Sequence, residues 1–149
     1  MGKLPKIKAN NTISVIKQAL IDKKKNSVKE LEQDDCFKLS FKHIDRTQGQ
    51  TATEWQNSGM LSEFFDTISN YCLRPLKEQQ STKFTIYGDF PPKNKTDFIY
   101  PNHVPEDAEW ARIHINGLYC IAGHVVANTF YFVFFDANHK FYYSQLRNT

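Results

Sequence analysis

Long apolar runs are missing from the sequence, and no segment approaches the roughly 18 consecutive apolar residues of a membrane-spanning helix. The first residues also lack the apolar segment of a secretory signal peptide, which favours a cytoplasmic protein. The glycine motifs of phosphate-binding loops, the nucleophile elbow GxSxG and the zinc patterns HxH and HExxH are absent as well. These absences argue against a membrane protein and against the commonest nucleotide-dependent, serine-hydrolase and zinc enzymes.

Cysteine is scarce and scattered, with one residue each at positions 36, 72 and 120. An odd count without CxxC spacing argues against a disulfide framework and against a zinc site. We therefore expect neither a metal nor another cofactor, and we interpret Cys72 and Cys120 as ordinary buried thiols. An alternative is a metal site assembled from distant residues, namely His43, His103, His114 and His139 with Asp45 or Asp107.

Positive charge is concentrated at the N-terminus. Residues 1–29 hold eight lysines and one acidic residue, whereas the remaining 120 residues hold eleven basic and fifteen acidic groups. The net charge of +3 therefore combines a basic N-terminal part with a remainder that is slightly acidic. We expect a basic helical arm over residues 1–34 and a single domain over residues 35–149. The arm can be a solvated segment that maintains solubility, or it can bind nucleic acid. The candidate nucleic-acid contacts are Lys17, Lys23, Lys24 and Lys25.

The first half of the chain contains three helix-start signals. Asn11 or Thr12 can cap a first short helix, and Ser27-Val28-Lys29-Glu30 fits a capping box for a second. Thr51-Ala52-Thr53-Glu54 is another capping box, and it predicts a helix that Ser58-Gly59 interrupts. The apolar stripe of this main helix should pack on a sheet, and it comprises Leu61, Phe64, Phe65, Ile68, Cys72 and Leu76.

The segment from Glu109 to Tyr143 predicts a β meander. Asn116-Gly117 lies between two alternating strands and favours a type I′ hairpin that places Ile113 opposite Cys120. Because side chains alternate along a strand, this register sorts them onto two faces. The Ile113 face is expected to hold Ala111, Ile113, Ile115, Leu118, Cys120 and Ala122, and the Arg112 face to hold Trp110, Arg112, His114, Tyr119 and Ile121.

A second turn, near Ala127-Asn128, leads into a strand over Thr129–Phe135, and a last short strand is expected over Lys140–Tyr143. The register of this hairpin assigns Phe130, Phe132 and Phe134 to the Arg112 face and Tyr131, Val133 and Phe135 to the Ile113 face.

A sheet that is apolar on both faces must be covered on both, by helices or by a partner. We expect the proline-rich loop of residues 88–108 to be an ordered cover rather than a free linker, because it can attach to the body of the domain through Phe98, Ile99, Tyr100 and Val104. The whole pattern predicts an α+β fold: a mostly antiparallel sheet with a C-terminal β meander, one main helix packed on it and short N-terminal helices.

Arg112 and His114 are the leading candidates for chemistry. They lie two residues apart on one strand, hence on one face and about 7 Å apart. A guanidinium can bind a phosphate or a carboxylate through two hydrogen bonds, and an imidazole can transfer protons near neutral pH. The alternative is structural, with the arginine paired to an acid such as Glu109 and the histidine at the rim of the sheet.

His139 is the third catalytic candidate, in a turn where Asp136 can alternatively accept backbone hydrogen bonds as an Asx-turn. Loops that meet the ends of strands commonly hold ligands, which makes the polar loop of residues 45–50 a candidate. Helix capping and solvation explain the polar residues of this loop equally well. The candidate substrate-binding residues are Trp110, Tyr119, Asp45, Arg46, Gln48 and Gln50. His124 is expected to be a hydrogen-bonded core histidine.

Two resemblances add to these observations. The order strand, helix, strand and meander over residues 36–143, with Trp110-x-Arg112 and a late His139 before an aromatic residue, resembles the RelE/ParE superfamily of bacterial toxins, in particular its YoeB-type branch. This resemblance implies metal-free, often ribosome-dependent mRNA cleavage, with Arg112 as a phosphate clamp and His139 as a general acid or base. A small family of uncharacterised bacterial and mobile-element proteins is similar in the segments HIDRTQGQ, IYGDFPP, HVPEDAEWARI and NTFYFVFFDANHKFY, which implies no chemistry.

We therefore expect a RelE-like, toxin-type protein that acts as a metal-free endoribonuclease on mRNA, with RNA or the ribosome as its partner. The alternative is a non-enzymatic binding module, such as an immunity, antitoxin-like or accessory protein of a mobile element. Such a module would hold a cognate protein through the aromatic sheet face or the basic arm. A third possibility is a nucleic-acid-binding factor that acts through residues 1–29.

Overall fold

The structure, a computed structural model, describes residues 6–143, including the side chains of residues 12–23, 27–31 and 33–143. These residues divide into two units, one ending at Asp34 and the other beginning at Asp35. Within this described part of the chain, no helix combines the length and the apolar character that crossing a membrane requires.

The first unit is a single helix, α1, which extends over 27 residues from Lys6 to Glu32. The prediction of short N-terminal helices was therefore wrong. Residues 6–32 contain neither glycine nor proline, so nothing in the backbone forces a break. Ser27, predicted to begin a second helix, instead donates its hydroxyl hydrogen to the carbonyl of Lys23 over 3.0 Å. Serines inside helices commonly make this bond to the preceding turn.

The second unit is an α+β domain built on a five-stranded, mostly antiparallel sheet, as predicted. The spatial order of its strands is β1-β5-β4-β3-β2, and only the pairing of β1 with β5 is parallel. In chain order the strands are β1 (Lys38–Ser40), β2 (Phe84–Gly88), β3 (Glu109–Asn116), β4 (Tyr119–Val126) and β5 (Thr129–Asp136). The last three strands form the predicted β meander.

Two helices follow β1: α2 (Ala52–Asn57) and α3 (Met60–Tyr71). The predicted capping box is formed, because the Thr51 hydroxyl accepts the Glu54 N–H and the Glu54 carboxylate accepts the Thr51 N–H. Gly59, with a φ of 78°, separates the two helices and confirms the predicted interruption.

The turn between β3 and β4 lies where the sequence predicts it, but the register of the hairpin differs. Asn116 pairs with Tyr119, so Gly117 and Leu118 are the central residues of the turn. Gly117 has a φ of 57°, and a glycine at the first central position is typical of a type II′ turn rather than type I′. One extra residue, Ile115, bulges from β3 and brings His114 opposite Cys120.

This shift exchanges the two faces of β4, since a one-residue slip turns every side chain of a strand over. Tyr119 and Ile121 lie on the Ile113 face, against the prediction. Cys120 and Ala122 lie on the Arg112 face, also against the prediction.

A second bulge, at Val133, changes the faces of β5. Ala122 pairs with Phe134 whereas its neighbour Gly123 pairs with Phe132, which leaves Val133 as the extra residue. Phe134 lies on the Arg112 face as predicted. Phe130 and Phe132 were predicted there too, but they lie on the Ile113 face.

Both faces of the sheet are covered. Trp55 of α2 and Phe64 of α3 are buried against the Ile113 face. The loop of residues 89–108 covers the Arg112 face as an ordered segment, as predicted, and buries Phe98 and Val104 there. Most aromatic side chains of the sheet are therefore buried, among them Trp110, Phe132 and Phe134, whereas its tyrosines are half-buried. The sheet does not present the open aromatic face that the alternative of a binding module requires.

The predicted final strand over Lys140–Tyr143 is not formed. Its backbone instead bonds to the covering loop, where the Asp97 N–H donates to the Lys140 carbonyl and the Tyr143 N–H donates to the Lys95 carbonyl. Because these partners lie in a loop, the segment adds no strand to the sheet.

Candidate active site

Arg112, His114 and His139 are brought together at one end of the Arg112 face. Arg112 and His114 project from the same face of β3, as their spacing predicts. The ring centroids of His114 and His139 are 6.4 Å apart. All three side chains are half-buried, so they are both held by neighbours and open to solvent. The three residues predicted to be catalytic therefore form one cluster.

The sheet pairing explains this convergence. His114 of β3 pairs with Cys120 of β4, and Cys120 in turn pairs with Asp136 of β5. These three residues form a row across neighbouring strands. His139 lies three residues after Asp136, in a turn that returns the chain towards this row.

A buried carboxylate holds that turn. Asp136 is 1% exposed, and its two oxygens accept the N–H groups of Lys140 at 2.9 Å and Phe141 at 2.8 Å. From the other side, the Gln50 side-chain oxygen accepts the Ala137 N–H at 2.6 Å. His139 itself has a left-handed φ of 57°. Asp136 thus accepts backbone hydrogen bonds as considered, but from residues four and five positions later rather than in an Asx-turn, and these bonds position His139.

Arg112 packs on an aromatic pair. The central carbon of its guanidinium lies 5.6 Å from the centroid of the Tyr87 ring, within the range of a cation–π contact. Tyr87 stacks in turn on Tyr142, with ring centroids 4.8 Å apart. This contact orients the arginine, whose hydrogen-bonding edge can still receive an anion.

The electrostatics of the cluster favour neutral imidazoles. Burial lowers the pKa of His114, and the positive charges of His139, Arg112 and Lys83 lower it further. Burial also lowers the pKa of His139, with Arg112 as the next largest cause. Both groups therefore have a lower pKa than the ordinary value of 6.5. At neutral pH each can accept a proton.

Cys120 is the site residue that sequence reasoning missed. Its sulfur lies 3.5 Å from Nδ1 of His114. Burial raises its pKa to about 12, so it is a thiol at neutral pH. A three-residue hairpin loop with a left-handed glycine is the next commonest choice after the two-residue turn. Centred on Gly117, that loop would have placed Cys120 opposite His114.

Trp110 and Tyr119 do not belong to the site. Trp110 lies on the Arg112 face but is fully buried under the covering loop, against Phe90 and Tyr100. Tyr119 lies on the opposite face, with its ring centroid 5.1 Å from that of Trp55. Neither ring can contact a substrate held by Arg112, because one is enclosed and the other is on the wrong side of the sheet.

The polar loop after β1 has a structural role. Asp45 accepts the N–H and hydroxyl of Thr47 at 2.8 and 2.6 Å. These bonds lower the pKa of Asp45, although burial, the largest single influence, acts to raise it. Gln48 exchanges two hydrogen bonds with the backbone of Ile99, at 2.7 and 2.8 Å, and so ties down the covering loop.

Asp45, Arg46 and Gln48 line a separate cavity of about 600 Å³. Of the predicted loop residues, Gln50 is the one bonded to the turn that carries His139. Its oxygen also accepts the Trp55 indole N–H at 3.3 Å, so Gln50 connects α2 to that turn.

The other histidines form a second group. His43 Nδ1 lies 2.8 Å from His124 Nε2, and His103 Nε2 lies 2.7 Å from the His43 carbonyl oxygen. Burial, followed by the charge of His43, lowers the pKa of His124 to about 4. His124 is thus the hydrogen-bonded core histidine that we predicted. The metal site considered for His43, His103, His114 and His139 together is not formed, because these residues divide between two groups.

The lysines assigned to nucleic acid lie on α1. Lys17 and Lys23 have exposed side chains. The side chains of Lys24 and Lys25 lie outside the described residues.

Comparison of the chain with family profiles, with curated proteins and with solved structures found no match in any of the three.

Proposed function

We propose that the protein is a metal-free endoribonuclease of the RelE-like toxin type, acting on mRNA through Arg112, His114 and His139. The observation that carries the proposal is the pair of half-buried imidazoles, 6.4 Å apart by ring centroid, beside an arginine that packs on Tyr87. Two imidazoles at this spacing can bracket one phosphodiester, while the arginine neutralises its charge.

The proposed reaction transfers a phosphoryl group within the RNA strand. One imidazole accepts the proton of the ribose 2′-OH, and the 2′-oxygen attacks the adjacent phosphorus. The bond from phosphorus to the 5′-oxygen breaks, and the second imidazole, which must be protonated, donates a proton to that leaving oxygen. The products are a 2′,3′-cyclic phosphate and a 5′-hydroxyl, and no metal or redox step is required.

This mechanism predicts a pH dependence. One histidine must be neutral and the other protonated, so kcat/KM follows a bell whose limits are the two pKa values of the free enzyme. Because the pKa values of both His114 and His139 lie below 6.5, the maximum should lie on the acidic side of pH 6.5.

RNA affinity needs positive charge, and the chain supplies it unevenly. Residues 30–149 carry fifteen acidic and eleven basic groups, whereas residues 1–29 carry eight lysines. The arm is therefore the part of the chain best suited to hold the phosphate backbone. Deleting residues 1–29 should weaken RNA binding and reduce its dependence on salt.

The test combines growth and cleavage. Wild type, Arg112→Ala and the double variant Arg112→Ala/His139→Ala are expressed in a bacterium, and the purified chains are incubated with single-stranded RNA and EDTA. We expect wild type to arrest growth and to cut RNA. Each variant should lose at least about 100-fold in rate, since phosphate-clamp and acid–base groups contribute factors of this size. Arg74→Ala, at an exposed arginine outside the cluster, is the matched control.

A binding role is the second candidate, and one observation favours it. α1 exposes a series of apolar side chains that are 47–67% accessible: Ile13, Val15, Ile16, Leu20, Ile21, Val28 and Leu31. Exposed apolar surface of this kind often marks a site for a protein partner. Normal growth and intact RNA with soluble wild type would contradict the nuclease and favour this alternative.

A further inference from the structure

The cluster at the end of the Arg112 face contains a complete set of metal-binding atoms. One ring nitrogen of His114, the sulfur of Cys120 and one ring nitrogen of His139 all lie within 4.8 Å of one another. We propose that these three side chains bind Zn²⁺. The inference concerns metal binding alone and does not rest on the proposed RNA cleavage.

The donor geometry fits a zinc ion. Zinc bonds of about 2.1 Å to nitrogen and about 2.3 Å to sulfur, set at a tetrahedral angle, place the two donors about 3.6 Å apart. The Cys120 sulfur and His114 Nδ1 are 3.5 Å apart. The sulfur of Cys120 and Nδ1 of His114 therefore already have the separation that a zinc ion requires. The third donor, a ring nitrogen of His139, lies within 4.8 Å of the other two and has to approach by about 1 Å.

The backbone presets the positions of all three ligands. His114 and Cys120 are directly paired across β3 and β4, and Cys120 is paired with Asp136 on β5. The two backbone bonds to Asp136 then hold the turn that carries His139. Rigid strands and an anchored turn lower the entropy that is lost when ligands gather around a metal.

The donor types select zinc among the common divalent ions. A thiolate with two imidazoles suits a borderline-soft ion and is a poor site for magnesium or calcium, which prefer oxygen. Three protein ligands leave a fourth position for water. On binding, the Cys120 S–H bond is replaced by a Zn–S bond, and the proton is released to solvent.

The positive charge of Arg112 would repel a bound zinc ion, and this leads to a specific prediction. Arg112 projects from the same face of β3 as His114, two residues away, so its positive charge lies beside the proposed ion. Since like charges repel, Arg112→Gln should bind zinc at least as tightly as the wild type. The same change should abolish RNA cleavage if the proposed function is right. One variant thus separates the two proposals.

Bound zinc would also block the proposed nuclease, because it occupies the nitrogen lone pairs that the acid–base steps need. If the nuclease proposal holds, zinc should inhibit cleavage and EDTA should restore it. Cleavage that requires zinc would support the metal site and overturn the metal-free mechanism. Zinc binding without any cleavage would overturn the nuclease and leave the metal site in place.

The experiment measures metal binding by the full-length chain in the absence of RNA. Zinc affinity is obtained by competition with a chromophoric chelator, under a reductant that does not bind metals. Cobalt(II) is then titrated to detect the thiolate-to-cobalt charge-transfer band. The variants are Cys120→Ala and His139→Asn, and Cys72→Ala is the matched control. Cys72 caps the end of α3 and is exposed, so the expectation that it is a buried thiol was wrong.

Wild type and Cys72→Ala should bind one equivalent and show the charge-transfer band. Cys120→Ala should lose the band and bind zinc at least about 100-fold more weakly, because even second-shell changes cost metal sites up to that factor. His139→Asn should weaken binding similarly. Asparagine tolerates the left-handed φ at this position, so this variant keeps the test valid if Cys120→Ala fails to fold. Equal zinc affinity in wild type and His139→Asn, or a band that persists in Cys120→Ala, would overturn the proposal.

Discussion

Replacing Asp136 with asparagine tests whether one buried carboxylate holds the turn that carries His139. Both oxygens of Asp136 accept backbone N–H groups, from Lys140 and Phe141. In asparagine one oxygen becomes an NH₂ group, which faces an N–H donor and cannot accept its hydrogen. One charge-assisted bond is lost, and a backbone N–H is left buried without an acceptor.

The expected loss of stability follows from these two terms. A hydrogen bond to a charged group contributes about 1.5–3 kcal/mol, and an unpaired buried N–H costs about 1–3 kcal/mol. The two terms overlap, so we expect a total of about 3 kcal/mol. For a domain of this size, the unfolding entropy of roughly 0.24 kcal/mol/K converts this loss into a decrease of about 12 °C in Tm.

Urea and thermal unfolding, followed by circular dichroism at pH 7, measure this loss. Asp89→Asn is the matched control, because it removes the same charge from an exposed position and should change stability by less than about 0.5 kcal/mol. If Asp136→Asn unfolds within about 0.5 kcal/mol of the wild type, the carboxylate does not hold the turn and our account of the placement of His139 is wrong.

Three further predictions concern stability. His124 has a pKa of about 4 in the folded chain against an ordinary 6.5, so protonation favours unfolding as the pH falls through this window. Urea unfolding should show a loss of about 2 kcal/mol between pH 7 and pH 5 that is largely absent in His124→Gln. Gly49→Ala should destabilise by at least about 2 kcal/mol more than Gly59→Ala in thermal unfolding. Both glycines have positive φ, but only at Gly49 would the new Cβ meet a carbonyl oxygen, at 2.1 Å; equal losses would contradict the clash. Thr51→Ala should cost about 1 kcal/mol, because it removes the capping box of α2, and an unchanged Tm would count against that role.

The sequence predicts the site better where a single strand determines it. Arg112 and His114 share a face because they are two residues apart on β3, and no pairing register can separate them. Cys120 was assigned to the wrong face because its position depends on the bulge at Ile115. A bulge inserts one residue without any strong local signal, and a one-residue slip turns the whole strand over.

It was equally hard to predict which individual residues the covering loop buries. Trp110 was assigned to the correct face, but the loop of residues 89–108 encloses it. Proline-rich irregular segments have no periodicity that reveals which of their side chains point inward. The sequence could therefore predict that this loop is a cover, but not that it removes Trp110 from the site.

The long α1 helix was missed because strong local signals were misleading. Two capping signals, one near the start of the helix and one near its end, are strong locally, but an uninterrupted run of residues with adequate helix propensity outweighs them. A side chain such as Ser27 can bond back within a helix as readily as it caps a new one.

The parallel pairing of β1 with β5 constrains the order in which the domain can assemble. Lys38 pairs with Thr129, about ninety residues later. During synthesis the N-terminal part of the chain emerges first, and β1 has no partner strand until β5 has been made. Contacts between such distant segments close slowly, because the intervening chain must first be ordered. His139 follows β5, so neither this edge of the sheet nor the cluster of histidines can form before residues 129–139 have been made.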